Sequence, residues 1–278
     1  MRVPFAESPE FRRMLRGEPA TDLTRIALEI ARDVYPDLDE GRYLGKLADL
    51  ASRVRERCPP EAKARHVLGQ INWVLFVEEG FRGDTEDYYD PRNGYLNDVI
   101  DRKAGIPISL SVLYLALADR LGLAMAGVNL PAHFVVRTGA GESAIFVDPF
   151  HSGALLDRNG CQRRVEEVTG QAVTLTDAIL APCPLPTIVA RMLRNLKAVY
   201  LQKHDFPSAL PVLRRLSAMA PEDPLERRDL GMVCLHSDRP GEAVTHLSAY
   251  LDASPQAADA EAVASLLLTA RSTLALRN

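Results

Sequence analysis

Two side chains with the chemistry of an acid–base pair lie near each other in the middle of the chain. His133 stands in the segment LPAHFVVR and Asp148 in the segment IFVDPF. An imidazole that is oriented by a carboxylate can act as a general base toward a nucleophile. A helix start, then a histidine, then an aspartate is the chain order of a thiol-nucleophile active site. The helix predicted upstream, GIPISLSVLYLALADRLGL (105–123), nevertheless begins with a proline.

The elements that position these residues can be predicted from apolar spacing. Apolar residues at three- and four-residue steps predict a helical part over 20–80, in which Trp73 is expected in the core. The same spacing predicts a central helix over 107–121, where a proline in the first turn is tolerated. Short β-branched segments separated by turn residues predict a small antiparallel sheet over 124–150. Together these elements predict an α+β domain over 1–182.

The C-terminal part contains an internal repeat. After the proline-rich segment LAPCPLPT (180–187), residues 195–221 align without a gap on 229–255, an offset of 34 residues. Ala209 then pairs with Ala243, and Pro221 with Pro255. This is the period of the tetratricopeptide helix–turn–helix unit. We therefore predict an all-α domain of such repeats over 187–278.

Composition and charge argue against several classes of protein. The net charge is −4, which is unlike the basic face of a nucleic-acid-binding protein, so no nucleic-acid partner is expected. No apolar run reaches the roughly 18 residues of a membrane helix, and the charged N-terminus lacks a signal-peptide core. We expect a cytoplasmic protein with four free thiols, without a membrane partner or a cofactor.

Three blocks carry a family resemblance: GIPISL, PAHF and VDPF. With FRGDTEDYYDPRNGYLNDVIDRKAGIP before them and the repeats after them, the chain resembles the SirB1 family over roughly 20–255. That resemblance implies a transglutaminase-like core, related to papain-type thiol enzymes, joined to tetratricopeptide repeats. It also implies that His133 is the base and Asp148 its orienting carboxylate.

The resemblance further implies that the nucleophile is missing. Catalytic relatives place a cysteine at the start of the central helix, where the helix dipole lowers a thiol pKa. Counted back from Gly122, that position is Pro107, which has no proton to lose. Ser109 and Ser111 are alternative nucleophiles; Ser111 points closer to the direction of residue 107 but lies one turn deeper. Cys161, in what reads as an exposed polar turn, DRNGCQRR, is another alternative.

Other residues are candidates for binding rather than catalysis. Asn129 and His151 would line a pocket with the His133–Asp148 pair. Although His133, Asp148 and His151 are metal-ligand types, their spacing matches no known site, so no metal is predicted. Asp87 and Asp90 belong to the acidic loop DTEDYYD, which is either solvated or a lip for basic partner segments. Asn97 lies nearby on a short predicted helix.

Two functions follow from these patterns. One is a non-catalytic transglutaminase-like protein that binds a protein or peptide through its repeats and the relic cleft, in a regulatory role. The other is a hydrolase or acyltransferase that uses Ser109, Ser111 or Cys161 with His133 and Asp148.

Overall fold

The computed structural model describes Phe5 and residues 7–277 of the chain. It divides into two compact units, of which the first ends at Met192 and the second begins at Leu193. The domain limits expected from the sequence, 1–182 and 187–278, stay a prediction.

The first unit opens with amphipathic helices. These are α1 (Pro9–Leu15), α2 (Leu23–Ala31), α3 (Glu40–Glu56) and α4 (Ala64–Asn72). The side chains of Asp22 and Asp39 accept hydrogen bonds from the first turns of α2 and α3, which fixes where these helices begin. The chain continues from α4 directly into a π-helical turn, Trp73–Glu78.

Trp73 was expected in the core, and this expectation is wrong. Its side chain lies in the π-helical turn and is 45% exposed. The indole N–H donates to Glu78, and the ring lies against the guanidinium of Arg57. These polar partners keep the indole at the surface while Val74 and Leu75 take the buried positions.

A buried helix forms the centre of the first unit. It is α6 (Pro107–Arg120), whose side chains are buried along most of its length. Before it come β1 (Arg82–Gly83), α5 (Leu96–Arg102) and β2 (Ala104–Gly105), and β1 pairs with β2 in parallel. Pro107 is the first residue of α6, where its missing N–H leaves no hydrogen bond unmade.

An antiparallel sheet follows the central helix. It consists of β3 (Ala126–Val128), β4 (Val135–Thr138), β5 (Ile145–Asp148) and β6 (Ala154–Leu156), hydrogen-bonded in that order. Two further helices, α7 (Arg158–Thr169) and α8 (Asp177–Leu180), come after it. The predicted α+β architecture is thus confirmed, and the sheet extends beyond the predicted range 124–150 by the strand β6.

The remaining helices are α9 (Leu185–Gln202), α10 (Phe206–Met219), α11 (Pro224–His236), α12 (Pro240–Ala253) and α13 (Ala260–Ala275). The repeat is visible in the backbone, because His204 and Asp238, which stand at equivalent positions, both have positive φ. Gly231 lets α11 approach α12 closely, since a Cβ there would lie 2.7 Å from Leu247. Across the described residues, no helix combines the length and the apolar character that a membrane crossing requires.

Candidate active site of the first unit

The candidate site is formed where two strands of the sheet end. His133 lies two residues before β4, and Asp148 is the last residue of β5. These strands are antiparallel neighbours, with Val136 opposite Val147, so the start of one strand lies beside the end of the other. A 3₁₀ turn, Pro149–His151, follows β5 at once and brings His151 back toward Asp148.

Three nitrogen atoms surround a single oxygen of Asp148. Its Oδ2 lies 2.8 Å from Nδ1 of His151, 2.9 Å from Nε of Arg164 and 3.0 Å from Nε2 of His133. The His151 ring N–H donates a hydrogen bond to this oxygen. The His133 and Arg164 nitrogens are close to it but are not aligned for a hydrogen bond. The backbone N–H of His151 also donates to Oδ1 at 3.4 Å, so the carboxylate is held by charge and by two hydrogen bonds from His151.

Burial and charge act in opposite directions on Asp148. Its side chain has no exposed surface, and burial by itself would raise the pKa of the carboxyl. Interactions with His133 and His151 outweigh burial and hold the pKa well below its usual range. Asp148 is thus a permanent anion at neutral pH, as an orienting carboxylate or a ligand must be.

The two histidines differ in their access to solvent. The His133 side chain is 2% exposed, whereas the His151 side chain is 36% exposed. Their rings are 5.7 Å apart between centroids. The Asp148 carboxylate therefore contacts one buried imidazole and one that is exposed to solvent.

Both serines of the central helix are occupied by backbone groups. Ser109 Oγ accepts from the N–H of Ile106 at 3.1 Å and donates to the carbonyl of Asn93 at 2.6 Å. Ser111 Oγ is fully buried and lies 3.5 Å from the carbonyl of Phe134, at the limit of a hydrogen bond. Ser109 thus caps the start of α6.

Cys161 is not in an exposed turn, and that expectation is wrong. It lies in the first turns of α7 with no exposed surface, near the buried Val165 of the same helix. Burial, and then the charges of Asp148 and Asp157, raise the pKa of the thiol to about 12. A thiol with such a pKa is protonated at neutral pH and is a poor nucleophile.

Aromatic side chains border the candidate site. The ring of Phe150 lies 6.3 Å from His133, 5.1 Å from His151 and 6.2 Å from Tyr88, between centroids. Tyr88 belongs to the acidic loop, and Tyr89 beside it is 56% exposed. Gly83 allows Phe150 to approach, because a Cβ there would lie 2.6 Å from the Phe150 carbonyl oxygen.

The turn that carries His151 is fixed from outside the sheet. Asn72, the last residue of α4, donates its side-chain N–H to the carbonyl of Gly153 at 2.8 Å. Gly153 has positive φ, and a Cβ there would lie 2.1 Å from the Asn72 side chain. Tyr114 of the central helix donates to the same Asn72 at 3.0 Å. The position of His151 is thus set by the helical part of the unit.

The other residues expected to bind ligands lie in different surroundings. Asn129 is exposed and accepts a hydrogen bond from Arg191 at 3.3 Å. Asp90 is buried against Arg92 and Arg102, at 2.6 and 3.3 Å, so it stabilises its own loop.

Asp87 and Asn97 complete the set of expected binding residues. Asp87 is exposed on the acidic loop, and so is its neighbour Glu86. Asn97 is buried and lines a separate cavity of about 420 Å³, whose lining includes none of His133, Asp148 or His151.

Sequence reasoning missed Arg164 and the aromatic border. Arg164 follows Asp148 by a strand and half a helix, and no spacing rule connects the two. Phe150 and Tyr88 are ordinary apolar residues in sequence. Only the adjacency of Phe150 to Asp148 and His151 could have indicated that it belongs to the site.

Two family models match the chain. A model described as the transglutaminase-like superfamily matches residues 41–194, and a tetratricopeptide repeat model matches residues 196–268. The matched ranges cover the sheet with the candidate site and most of α9–α13, respectively.

Bacterial relatives match most of the chain. A UPF0162 protein of Xylella fastidiosa is 36% identical over 236 residues, which is 84% of this chain and 84% of that protein. A UPF0162 protein of Pasteurella multocida is 30% identical over 78% of this chain and 82% of its own length. F-box only protein 21 of mouse is 36% identical over 138 residues, which is 47% of this chain and 21% of that protein.

The matches agree on the family. A transglutaminase-like domain followed by tetratricopeptide repeats supports a protein-interaction module. The chain belongs to the transglutaminase-like superfamily.

Proposed function

We propose that this member of the transglutaminase-like superfamily is a non-catalytic, regulatory module that binds a protein or peptide. The repeats of α9–α13 would supply one binding surface, and the relic cleft around His133 and Asp148 would supply another. We also propose the narrower assignment to the SirB1 family and a cytoplasmic location.

The observation that carries this proposal is Pro107 at the first position of α6. A thiol at a helix start gains from the helix dipole, and proline offers neither a proton nor a lone pair there. The nearby hydroxyl of Ser109 is hydrogen-bonded to backbone groups, and the Cys161 thiol is buried and has a raised pKa. The base and its carboxylate therefore lack a reactive partner.

Two features support binding. Tetratricopeptide helices commonly present a surface to extended or helical ligands, anchored by apolar side chains. Leu225 on α11 and Leu268 on α13 are 53% and 63% exposed, which makes them candidates for such anchors. In the first unit, the ring of Tyr88 and the exposed Tyr89 border the candidate site and suit a peptide that inserts a side chain.

The test is capture of partners from host lysate with three full-length forms of the tagged protein. The double variant Leu225→Glu and Leu268→Glu alters the repeats, and Val77→Glu, a 59% exposed apolar residue of the first unit, is the matched control. We expect the wild type and Val77→Glu to retain a stoichiometric partner and the double variant to lose it. Retention by the double variant would place binding outside these helices.

One observation favours an enzyme instead: Nε2 of His133 lies 3.0 Å from Oδ2 of Asp148, as in a base that is oriented by a carboxylate. In this alternative, a hydrolase or acyltransferase uses Ser109, Ser111 or Cys161. Labelling by a fluorophosphonate or by iodoacetamide would then depend on His133. We expect the same labelling in the wild type and in His133→Ala, and a loss of labelling in the variant would favour the enzyme.

A further inference from the structure

The two histidines and the aspartate of the candidate site form a cluster of metal-ligand atoms. Nε2 of His133, Oδ2 of Asp148 and Nδ1 of His151 all lie within 4.8 Å of one another. Each histidine nitrogen is already 3.0 Å or less from the carboxylate oxygen. Ligand atoms around a tetrahedral zinc ion are separated by roughly 3.3 Å, as metal–ligand distances of about 2.0–2.1 Å require. A cation bound between them requires the two nitrogen–oxygen separations to widen by roughly 0.3–0.5 Å.

A second observation points to a missing ligand. Nε2 of His133 is buried, with the side chain 2% exposed, and lies 3.0 Å from Oδ2 of Asp148 without the alignment of a hydrogen bond, so within the described part of the chain it lacks a well-directed partner. Native proteins rarely leave a buried polar atom without a well-directed hydrogen bond, because its lost hydration is then not replaced. A cation bound at this nitrogen would satisfy it.

Access and charge are compatible with an ion. His151 is the exposed member of the cluster, so a cation can enter from its side and keep a coordination position open to solvent or to a ligand. Asp148 supplies the negative charge. Arg164, 2.9 Å from the same oxygen, opposes the cation through its charge and can remain as an ion-pair partner of the carboxylate outside the ligand set.

The types of the three ligand atoms indicate which metal ions the site would prefer. Two imidazole nitrogens and one carboxylate oxygen suit zinc and neighbouring first-row divalent ions, whereas calcium and magnesium prefer sites made of oxygen. We propose that His133, Asp148 and His151 bind one zinc-type transition-metal ion per chain. This site goes beyond the proposed binding function and does not depend on the repeats.

The first experiment is calorimetric titration of zinc into the reduced, full-length protein and two variants. His151→Gln removes the exposed ligand, and His66→Gln changes an exposed histidine on α4 as a matched control. We expect one strong site in the wild type and in His66→Gln. His151→Gln should weaken it by at least about a hundredfold, since loss of an outer partner alone costs about 10–100-fold.

The second experiment uses cobalt as a spectroscopic probe, because the chain also contains cysteines that can hold zinc. Visible bands of bound cobalt are expected without the near-ultraviolet charge-transfer band of a cobalt–thiolate bond. His133→Gln should abolish these bands, while circular dichroism verifies that this buried variant remains folded. Equal zinc binding by the wild type and His151→Gln, or a thiolate band that persists in both histidine variants, would overturn the proposal.

Discussion

The two sides of the candidate site differ in what they retain. The helix side, Pro107 to Ser111, offers a proline and two serines that are buried among backbone groups. The sheet side, where His133, Asp148 and His151 meet, still has charged and hydrogen-bonding groups in close contact. Under the proposed non-catalytic function, one residue at a helix start removes the nucleophile and leaves the groups of the sheet side in place. The same proposal assigns a binding role to the sheet side.

The largest effect is expected on the sheet side. Asp148→Asn removes the anion that His133 and Arg164 face. Breaking a buried charge pair costs roughly 3–5 kcal/mol, and the lower end of this range applies here because Arg164 is partly exposed. We expect a loss of about 3 kcal/mol in the free energy of unfolding, measured with urea. Asp87→Asn, an exposed carboxylate, is the matched control and should change nothing measurable. Equal stability of the two variants would mean that the sheet side is not held by charge.

The same pair of proteins gives a pH dependence. Because the folded-state pKa of Asp148 is lowered, its contribution to stability is complete above the unfolded value, near 3.9, and is lost as pH falls toward the folded value. The difference between the wild type and Asp148→Asn should therefore be constant from pH 7 to about pH 5 and shrink below about pH 4. Urea unfolding at several pH values measures it. A difference that grows in acid would contradict the assigned direction.

A smaller effect is expected on the helix side. Ser109→Ala removes the bonds to Ile106 and Asn93 and should cost about 1–2 kcal/mol of unfolding free energy. Ser111→Ala loses only a contact of 3.5 Å and should cost under about 0.5 kcal/mol. Thermal unfolding of both variants separates them. If Ser111→Ala were the more damaging, the capping role of Ser109 would be wrong.

A smaller change in stability than that of Ser109→Ala is expected at Pro107, the first residue of α6. Pro107→Cys should cost only about 0.5–1 kcal/mol, because proline mainly restricts the unfolded chain. It should also place a thiol at the helix start, where the dipole favours the thiolate. Alkylation of residue 107 by iodoacetamide at pH 7, followed by mass spectrometry, should be faster than in Pro107→Cys combined with His133→Ala. Equal rates would mean that His133 does not serve this position.

Much of the fold could be predicted because it depends on local patterns. The apolar stripe and Pro107 define α6, and the offset of the repeats reappears as the positive φ of His204 and Asp238. The proximity of His133 and Asp148 came from the family resemblance and the order of strands. These features depend on residues that are neighbours in the sequence or on the fixed period of the repeat.

The rest depends on contacts between distant segments. Cys161 was assigned to an exposed turn because its neighbours are polar, but burial is decided by what packs on one face of α7. Arg164 joins Asp148 from that same helix, and its side chain leaves no signal in the spacing. His151 was expected to line a pocket with His133 and Asp148, but its direct contact with Asp148 depends on the 3₁₀ turn after β5, which a sequence pattern does not specify.

The half-exposed Trp73 gives the molecule an optical property. It is the one tryptophan in the sequence, so the intrinsic indole fluorescence of the whole chain comes from a single place. That place follows Asn72, whose side chain holds the turn that carries His151. Emission should be red-shifted and open to quenching by iodide in the folded protein. Changes in quenching would then follow rearrangements of this corner without any added label.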